Sequence, residues 1–305
     1  MDQALHRKVD IFLAKTGFAN RLLKAYVYKL GLQGRVQFVG HTSSDPSVIY
    51  PPGATANLSA TARSIASQAY FFDPPGRDFS QVLHVKGKSG LKHSRQVLEC
   101  WATHPSWPLL TVVGDVPWGE RETQAVINLT NVFITPRPHP PSEPGGPPAS
   151  EKLATFDELR LLLNGIGVHL CPSEREGFGH YLNEARAVSA YVVTTDHPPM
   201  NEMVSQGQTG FLIKPAYTHS YTEWMALGDL THIIAHVNVK AMCAGVAEAL
   251  GVGLEERERR GWLARQAYLA GRRRFVRRLR DLLQHLKRLR QQRAAGGGGG
   301  SGSGA

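Results

Sequence analysis

Short apolar runs that alternate with helix-period stretches constrain this chain more than any other feature. QVLHVKGK (81–88), PLLTVVGD (108–115), NVFITP (131–136), VHLCPS (168–173) and YVVTTD (191–196) are nearly continuous in apolar residues. A strand apolar on both sides has to be covered on both faces, which is the condition of a parallel sheet between helices. The intervening stretches 93–105, 119–128, 155–166 and 179–189 read as those helices. The expected fold is α/β, a doubly wound Rossmann-like parallel sheet spanning about 79–250, with its ligand beyond the carboxyl ends of the strands. Ahead of it, DIFLAKT (10–16) and RVQFVGH (35–41) read as strands flanking a helix over 18–32, with Leu22, Leu23, Tyr26 and Leu30 on one face.

The remaining segments have different chemistry. Residues 47–78 begin small and polar, with Pro-Pro-Gly at 51–53, and read as a linker. Residues 136–150 hold seven prolines, too many for a helix or a central strand, and read as an insertion. Residues 231–251 and 261–271 read as helices, and 294–305 as a flexible Gly/Ser tail. The formal charge of +10 is concentrated: 272–293 carries ten Arg and Lys against the single acid Asp281, leaving the rest of the chain near neutral. Within that basic run Phe275, Leu279, Leu282, Leu286 and Leu289 recur at helical spacing and form a narrow apolar stripe. A helix docked on the protein with a solvated basic face is one reading; contact with an anionic membrane through 272–293 is the other. Nucleic acid is disfavoured, since no aromatic residues interleave with the charges. Cys100, Cys171 and Cys243 lack metal-ligand spacing and suit separate thiols in a reducing compartment, and the start MDQALHRKVDIFLAK has no apolar stretch ahead of its charges. A cytoplasmic protein, peripheral to a membrane if the basic helix engages one, is expected.

The stretch CPSEREGFGHYLNEA (171–185) carries the chemistry. A buried strand ends at Ser173, and a loop with Gly177 and Gly179 feeds a helix. Glycines let a backbone approach a ligand closely, and a helix start offers unpaired N–H groups to a phosphate. Glu176 and Glu184 flank the turn. Carboxylates accept hydrogen bonds from vicinal hydroxyls, so a ribose and a hexose are natural partners.

This arrangement resembles the E-x7-E element of retaining GT-B glycosyltransferases (glycosyl transferases group 1, family 4-like). The matching residues are Pro172–Ser173, Glu176–Gly179, Glu184–Ala185, Val192–Asp196, Glu202 and Gly207–Leu212. The first strand of that family's domain ends in Gly-Arg followed by a Lys, two cations that hold the diphosphate. Here Gly87, Lys88 and Lys92 stand in their places, with the spacing one residue shorter and Lys86 as a further candidate. His180 and Tyr181 stand where the family has an apolar residue and proline, and Asp115 falls at a family position near the donor.

The resemblance implies transfer of a hexose from a nucleotide diphosphate sugar, with retention, without a metal and without a cofactor. It implies Glu176, Lys88 and Lys92 in the catalytic roles. Glu184 would lie on the ribose, and Ser173, Gly177, Phe178, Gly179 and His180 against the donor. The acceptor, whether glycan, lipid or protein, is left open. Residues 1–46 resemble only the closing β-α-β of the N-terminal, acceptor-side domain, 79–250 the nucleotide-sugar domain, and 251–293 basic C-terminal helices. That shortness keeps a non-catalytic nucleotide-sugar-binding or scaffold protein open beside the transferase, and an epimerase of the same fold as a narrower alternative.

Overall fold

A computed structural model describes residues 9–49, 70–71, 77–87, 89–114, 129–135, 156–220 and 232–296. The chain divides into two compact units, 43–268 and a smaller one made of 1–42 with 269–305.

The larger unit is built on a six-stranded, wholly parallel sheet. Its strands are β5 (Asp78–Val85), β6 (Leu110–Val113), β7 (Val132–Thr135), β8 (Ile166–Cys171), β9 (Tyr191–Thr195) and β10 (Gly210–Ile213), in the order β10-β9-β8-β5-β6-β7. Two apolar cores flank it, and the period-2 alternation of a strand distributes neighbours between them. Val82, Val112, Leu170 and Val193 enter one core with Val97, Leu98 and Trp101 of α2 (Ser94–Thr103) and Met242 and Val246 of α5 (Val239–Gly251). Leu83, Val113, Cys171 and Val192 enter the other with Leu163 of α3 (Phe156–Gly165) and Leu182 and Ala185 of α4 (His180–Ala187). The strand order reverses at β5: the chain runs outward to β6 and β7, then returns to the other side of β5 for β8, β9 and β10. The loops after β5 and β8 are therefore neighbours at the switch point where doubly wound sheets bind ligands.

In the smaller unit β1 (Ile11–Ala14) and β2 (Arg35–Phe38) pair in parallel around α1 (Gly17–Lys29), whose first turn is capped by Thr16 accepting from the Ala19 amide at 3.0 Å. Val48–Ile49 (β3) pairs with Tyr70–Phe71 (β4) in the larger unit. The helix expected over 119–128 and the Pro-rich insertion lie outside the described residues.

Three expectations are corrected. Residues 231–251 are not one helix: His232–His236 forms strand β12, paired antiparallel with β11 (Tyr217–Ser220), and the helix starts after Asn238, whose side chain accepts from the Ala241 amide at 2.9 Å. The isoleucines of HIIAH favour the strand, and the asparagine cap sets the break. The helices after residue 251 are instead a single helix, α6 (Leu254–Gly296). Gly261 does not interrupt it, because that glycine packs against the Ser189 carbonyl where a Cβ would collide. Finally, Cys100 and Cys243 are not separate thiols: they form a disulfide between α2 and α5, helices that pack side by side on one face of the sheet. A separation of 143 residues hides that proximity from the sequence.

The apolar stripe of the basic run is also split. Leu282 is buried within its unit, and Phe275 packs edge-on against His41 at 5.9 Å. Val276, Leu279, Leu283 and Leu286 are exposed among the arginines.

Candidate functional site

The loops after β5 and β8 bring Lys92, Ser173, Glu176, Tyr181 and Glu184 together. The β5 loop begins at Gly87 (φ +59°), which approaches Gly114 (φ +119°) at the end of β6 so closely that a Cβ on Gly114 would sit 3.0 Å from the Gly87 nitrogen. The β8 loop is fixed to the next strand: the Ser173 amide donates to Thr195 Oγ1 at 3.1 Å, and that hydroxyl donates to the Ser173 carbonyl at 2.8 Å.

Ser173 Oγ donates to Glu176 Oε1 at 2.7 Å, so one carboxylate oxygen is held from the protein side. The same Oγ lies 2.5 Å from the Tyr181 hydroxyl, which donates to the Cys171 carbonyl at 2.8 Å. Lys92 Nζ rests 3.7 Å from the centroid of the Tyr181 ring and donates to the Val85 carbonyl at 3.2 Å. Burial holds the Lys92 ammonium below the usual lysine range, against the opposing pull of Cys171, Glu176 and Glu184. Burial likewise raises Glu184 above the usual carboxylate range, opposed by Lys92 and by a hydrogen bond from Ser44. A cation and a carboxylate both pushed towards neutrality mark a site that solvates charge poorly and would gain from a charged, hydroxyl-bearing ligand.

Gly179 takes φ +86° as the N-cap of α4 and supplies no side-chain cap, leaving the first amides of that helix to other acceptors. Phe178 and Gly179 are buried, Gly177 and His180 exposed, and His180 meets Phe178 edge-on at 5.2 Å. Of the candidate cations, Lys92 joins the cluster. Lys86 is buried, with its amide donating to the Val113 carbonyl, and Lys88 and Asp115 lie outside the described residues.

Sequence reasoning missed two participants. Tyr181 showed itself only as a departure from proline, yet it touches both arms of the cluster. The segment 43–45 read as the end of the acceptor-side stretch 1–46, yet Ser43 Oγ accepts from Asn183 at 3.1 Å and Asp45 accepts from Arg265 at 2.7 Å, which anchors Ser44 beside Glu184.

Residues 152–226 match the family model described as glycosyl transferases group 1. No curated protein matches the chain. Among solved structures, the pneumococcal O-GlcNAc transferase GtfA in complex with UDP and GlcNAc aligns with TM-score 0.54 at 16% identity, over 92% of this chain and 46% of that one. Sucrose-phosphate synthase from Thermosynechococcus elongatus aligns with TM-score 0.57 at 17% identity, over 96% and 60%. Anabaena HepE in complex with UDP-glucose aligns with TM-score 0.55 at 14% identity, over 92% and 65%. The chain thus spans between 46% and 65% of the length of these three proteins. The fold is the Rossmann-like α/β fold of GT-B glycosyltransferases, and the sequence resemblance and the family match fall on the same loop and helix.

Proposed function

We propose that this chain, with its group 1 match and GT-B fold, is a glycosyltransferase that takes a hexose from a nucleotide diphosphate sugar with retention and without a metal. The observation that carries this reading is the convergence of Lys92, Glu176 and Glu184 at the β5/β8 switch point, beside a helix start whose N-cap is the glycine Gly179. A diphosphate entering there gives the half-buried Lys92 ammonium an anionic partner, and Lys92 in turn neutralises charge that develops on the departing nucleotide. Lys88, next to Gly87, is placed by the same family pattern as a second cation. Glu184 accepts from the ribose hydroxyls in place of Ser44. Glu176, held by Ser173 through one oxygen, has the other for the donor sugar, alongside Gly177 and Phe178. Proteins with this fold in complex with UDP-glucose, and with UDP and GlcNAc, support a nucleotide-sugar donor.

Isothermal titration against UDP-, GDP- and ADP-sugars, run in parallel on Glu184→Ala, tests the reading. Saturable binding of one nucleotide class, weakened in the variant by about 1–3 kcal/mol, is the expected result. Absence of binding by a folded protein would overturn it. A second reading, a nucleotide-sugar binder without transfer, is supported by a family match that falls on residues 152–226, within the larger unit. It predicts donor binding with no sugar released or transferred to any acceptor.

Among the described residues no helix is long and apolar enough to cross a membrane. For the basic half of α6, the exposed Val276, Leu279, Leu283 and Leu286 among arginines favour peripheral contact with an anionic bilayer. Co-sedimentation with phosphatidylserine vesicles but not phosphatidylcholine vesicles, lost in Leu283→Asp/Leu286→Asp, is the expected outcome. Equal behaviour on the two vesicle types would remove the proposal.

A further inference from the structure

Lys92 and His93 are consecutive, yet they face different partners. Lys92 lies in the field of Glu176 and Glu184. His93, in a left-handed conformation (φ +47°), turns the other way and donates from Nε2 to the Ala235 carbonyl at 3.1 Å. The β8 loop divides in the same manner: Glu176 belongs with Ser173, whereas the Glu174 carbonyl accepts from the Ala235 amide at 2.8 Å and its carboxylate lies 4.0 Å from His236 Nε2. The two loops of the donor cluster thus carry a second set of groups, centred on the β11–β12 hairpin.

That hairpin carries three near-parallel rings on one face. Tyr217 stands opposite His236 across the strands, and residues two apart on a strand share a face, which places His219 with them. Ring centroids are 4.6 Å apart for Tyr217 and His236, 4.8 Å for His219 and His236, and 6.3 Å for Tyr217 and His219. Tyr217 is 58% exposed and His219 is exposed, while Ile234 and Ala235 on the second strand are buried. Tyr217 and His219 leave part of this stack open to solvent beside the Glu174 carboxylate, an arrangement that forgoes burial. Among the described residues no group of three or more His, Cys, Asp or Glu side chains is placed to hold a metal ion. The histidines are therefore read as rings.

We propose that Tyr217, His219 and His236 form a stacking subsite for a pyranose ring of an acceptor glycan, with the Glu174 carboxylate accepting from its hydroxyls. This rests on the glycosyltransferase reading and supplies the acceptor class that reading leaves open. A pyranose presents a face of C–H groups, weakly positive, to the negative face of an aromatic ring, and a rim of hydroxyls to an acceptor oxygen. A phosphate or an anionic lipid headgroup would meet the Glu174 carboxylate unfavourably, and an acyl chain would find no groove among three standing rings. The two loops that present the hairpin are the ones that present Lys92 and Glu176, so a glycan held there lies beside the donor cluster.

The test is saturation-transfer NMR on the full chain with maltotriose, cellotriose, mannotriose and triacetylchitotriose at millimolar concentration. At least one trisaccharide should receive saturation at its ring C–H protons, with binding about tenfold weaker in Tyr217→Ala and His219→Ala and kept in Tyr217→Phe. These side chains are exposed, so the variants should keep the wild-type melting temperature. If no trisaccharide binds the folded chain, or if binding is unchanged in both alanine variants, the proposal fails. Loss of UDP-sugar affinity in Tyr217→Ala without any saccharide signal would make the rings a nucleobase platform and would also overturn it. The titration of UDP-sugars is a separate arm. Saccharide binding lost in Tyr217→Ala while no nucleotide sugar binds would leave a glycan site standing and bring down only the donor reading.

Discussion

Lys92 Nζ sits 3.7 Å above the ring of Tyr181, and the hydroxyl of that tyrosine is anchored on the Cys171 carbonyl. One side chain thus supports the candidate phosphate cation with its face and fixes the β8 loop with its tip. The two roles separate by substitution. Tyr181→Leu removes the ring and is expected to weaken UDP binding by about tenfold, the scale of a partly desolvated cation–π contact at about 1–2 kcal/mol. Tyr181→Phe keeps the ring and should stay near wild type in UDP affinity, while losing about 1–2 kcal/mol of stability with the hydroxyl's bonds. Calorimetric titration with UDP, paired with thermal melts, reads both. Equal UDP affinity in the two variants would show that the ring does nothing for Lys92.

His84 and His169 are buried on central strands, and burial lowers each to a pKa of about 4. His84 is held neutral between the Leu170 carbonyl at 2.8 Å and Ser94 Oγ at 2.7 Å. Between their ordinary value of 6.5 and about 4, the unfolded chain binds protons that the folded chain refuses. Stability is therefore complete above pH 6.5 and falls as the pH drops through that window, by up to about 3 kcal/mol for each histidine. Urea unfolding at a series of pH values should show an uptake of protons on unfolding near pH 5, of which about two come from His84 and His169. A flat profile there would contradict the burial of these rings.

Gly114 (φ +119°) approaches Gly87 where the ends of β5 and β6 meet. Gly114→Ala places a Cβ in a conformation that L-residues avoid and against backbone that cannot move aside. The expected cost is about 1–3 kcal/mol in a denaturant melt, with weakened UDP binding because the β5 loop is displaced. Wild-type values for both would show that the approach is slack.

The three cysteines should behave differently towards a thiol reagent. Cys100 and Cys243 are joined, and Cys171 is buried, with its thiol pushed up by that burial. The native protein should show no reacting thiol, and the denatured, unreduced protein should show one. Cys243→Ser should cost about 2–5 kcal/mol, the usual contribution of a disulfide closing a long loop. Two or more thiols titrating without reductant would refute the bridge.

Much of the architecture was legible because buried parallel strands leave an unbroken apolar signature. The sheet from Asp78 to Thr195 was read to within a few residues at each end, and Glu176 and Glu184 stood out as candidates by their spacing around a glycine turn. Tyr181 was not recognised as a support for Lys92, since the two are 89 positions apart and only the switch between β5 and β8 brings them together. The β11–β12 hairpin was missed because HIIAH leads without punctuation into a helix, and the cap at Asn238 is a weaker signal than the apolar period around it. The bridge from Cys100 to Cys243 depends on two helices packing on one face, which no local pattern encodes.

Ala235 answers to both loops through its two flanking peptides: its carbonyl accepts from His93, next to Lys92, and its N–H donates to the carbonyl of Glu174, two residues from Glu176. A shift of either loop is felt by one residue of the hairpin strand. Occupancy at the two places is then thermodynamically linked, and reciprocity requires that whatever factor a bound donor imposes on affinity at the rings, a ligand on the rings imposes on the donor. If both proposed sites bind, the affinity of each then depends on the other through the two peptide groups that flank Ala235.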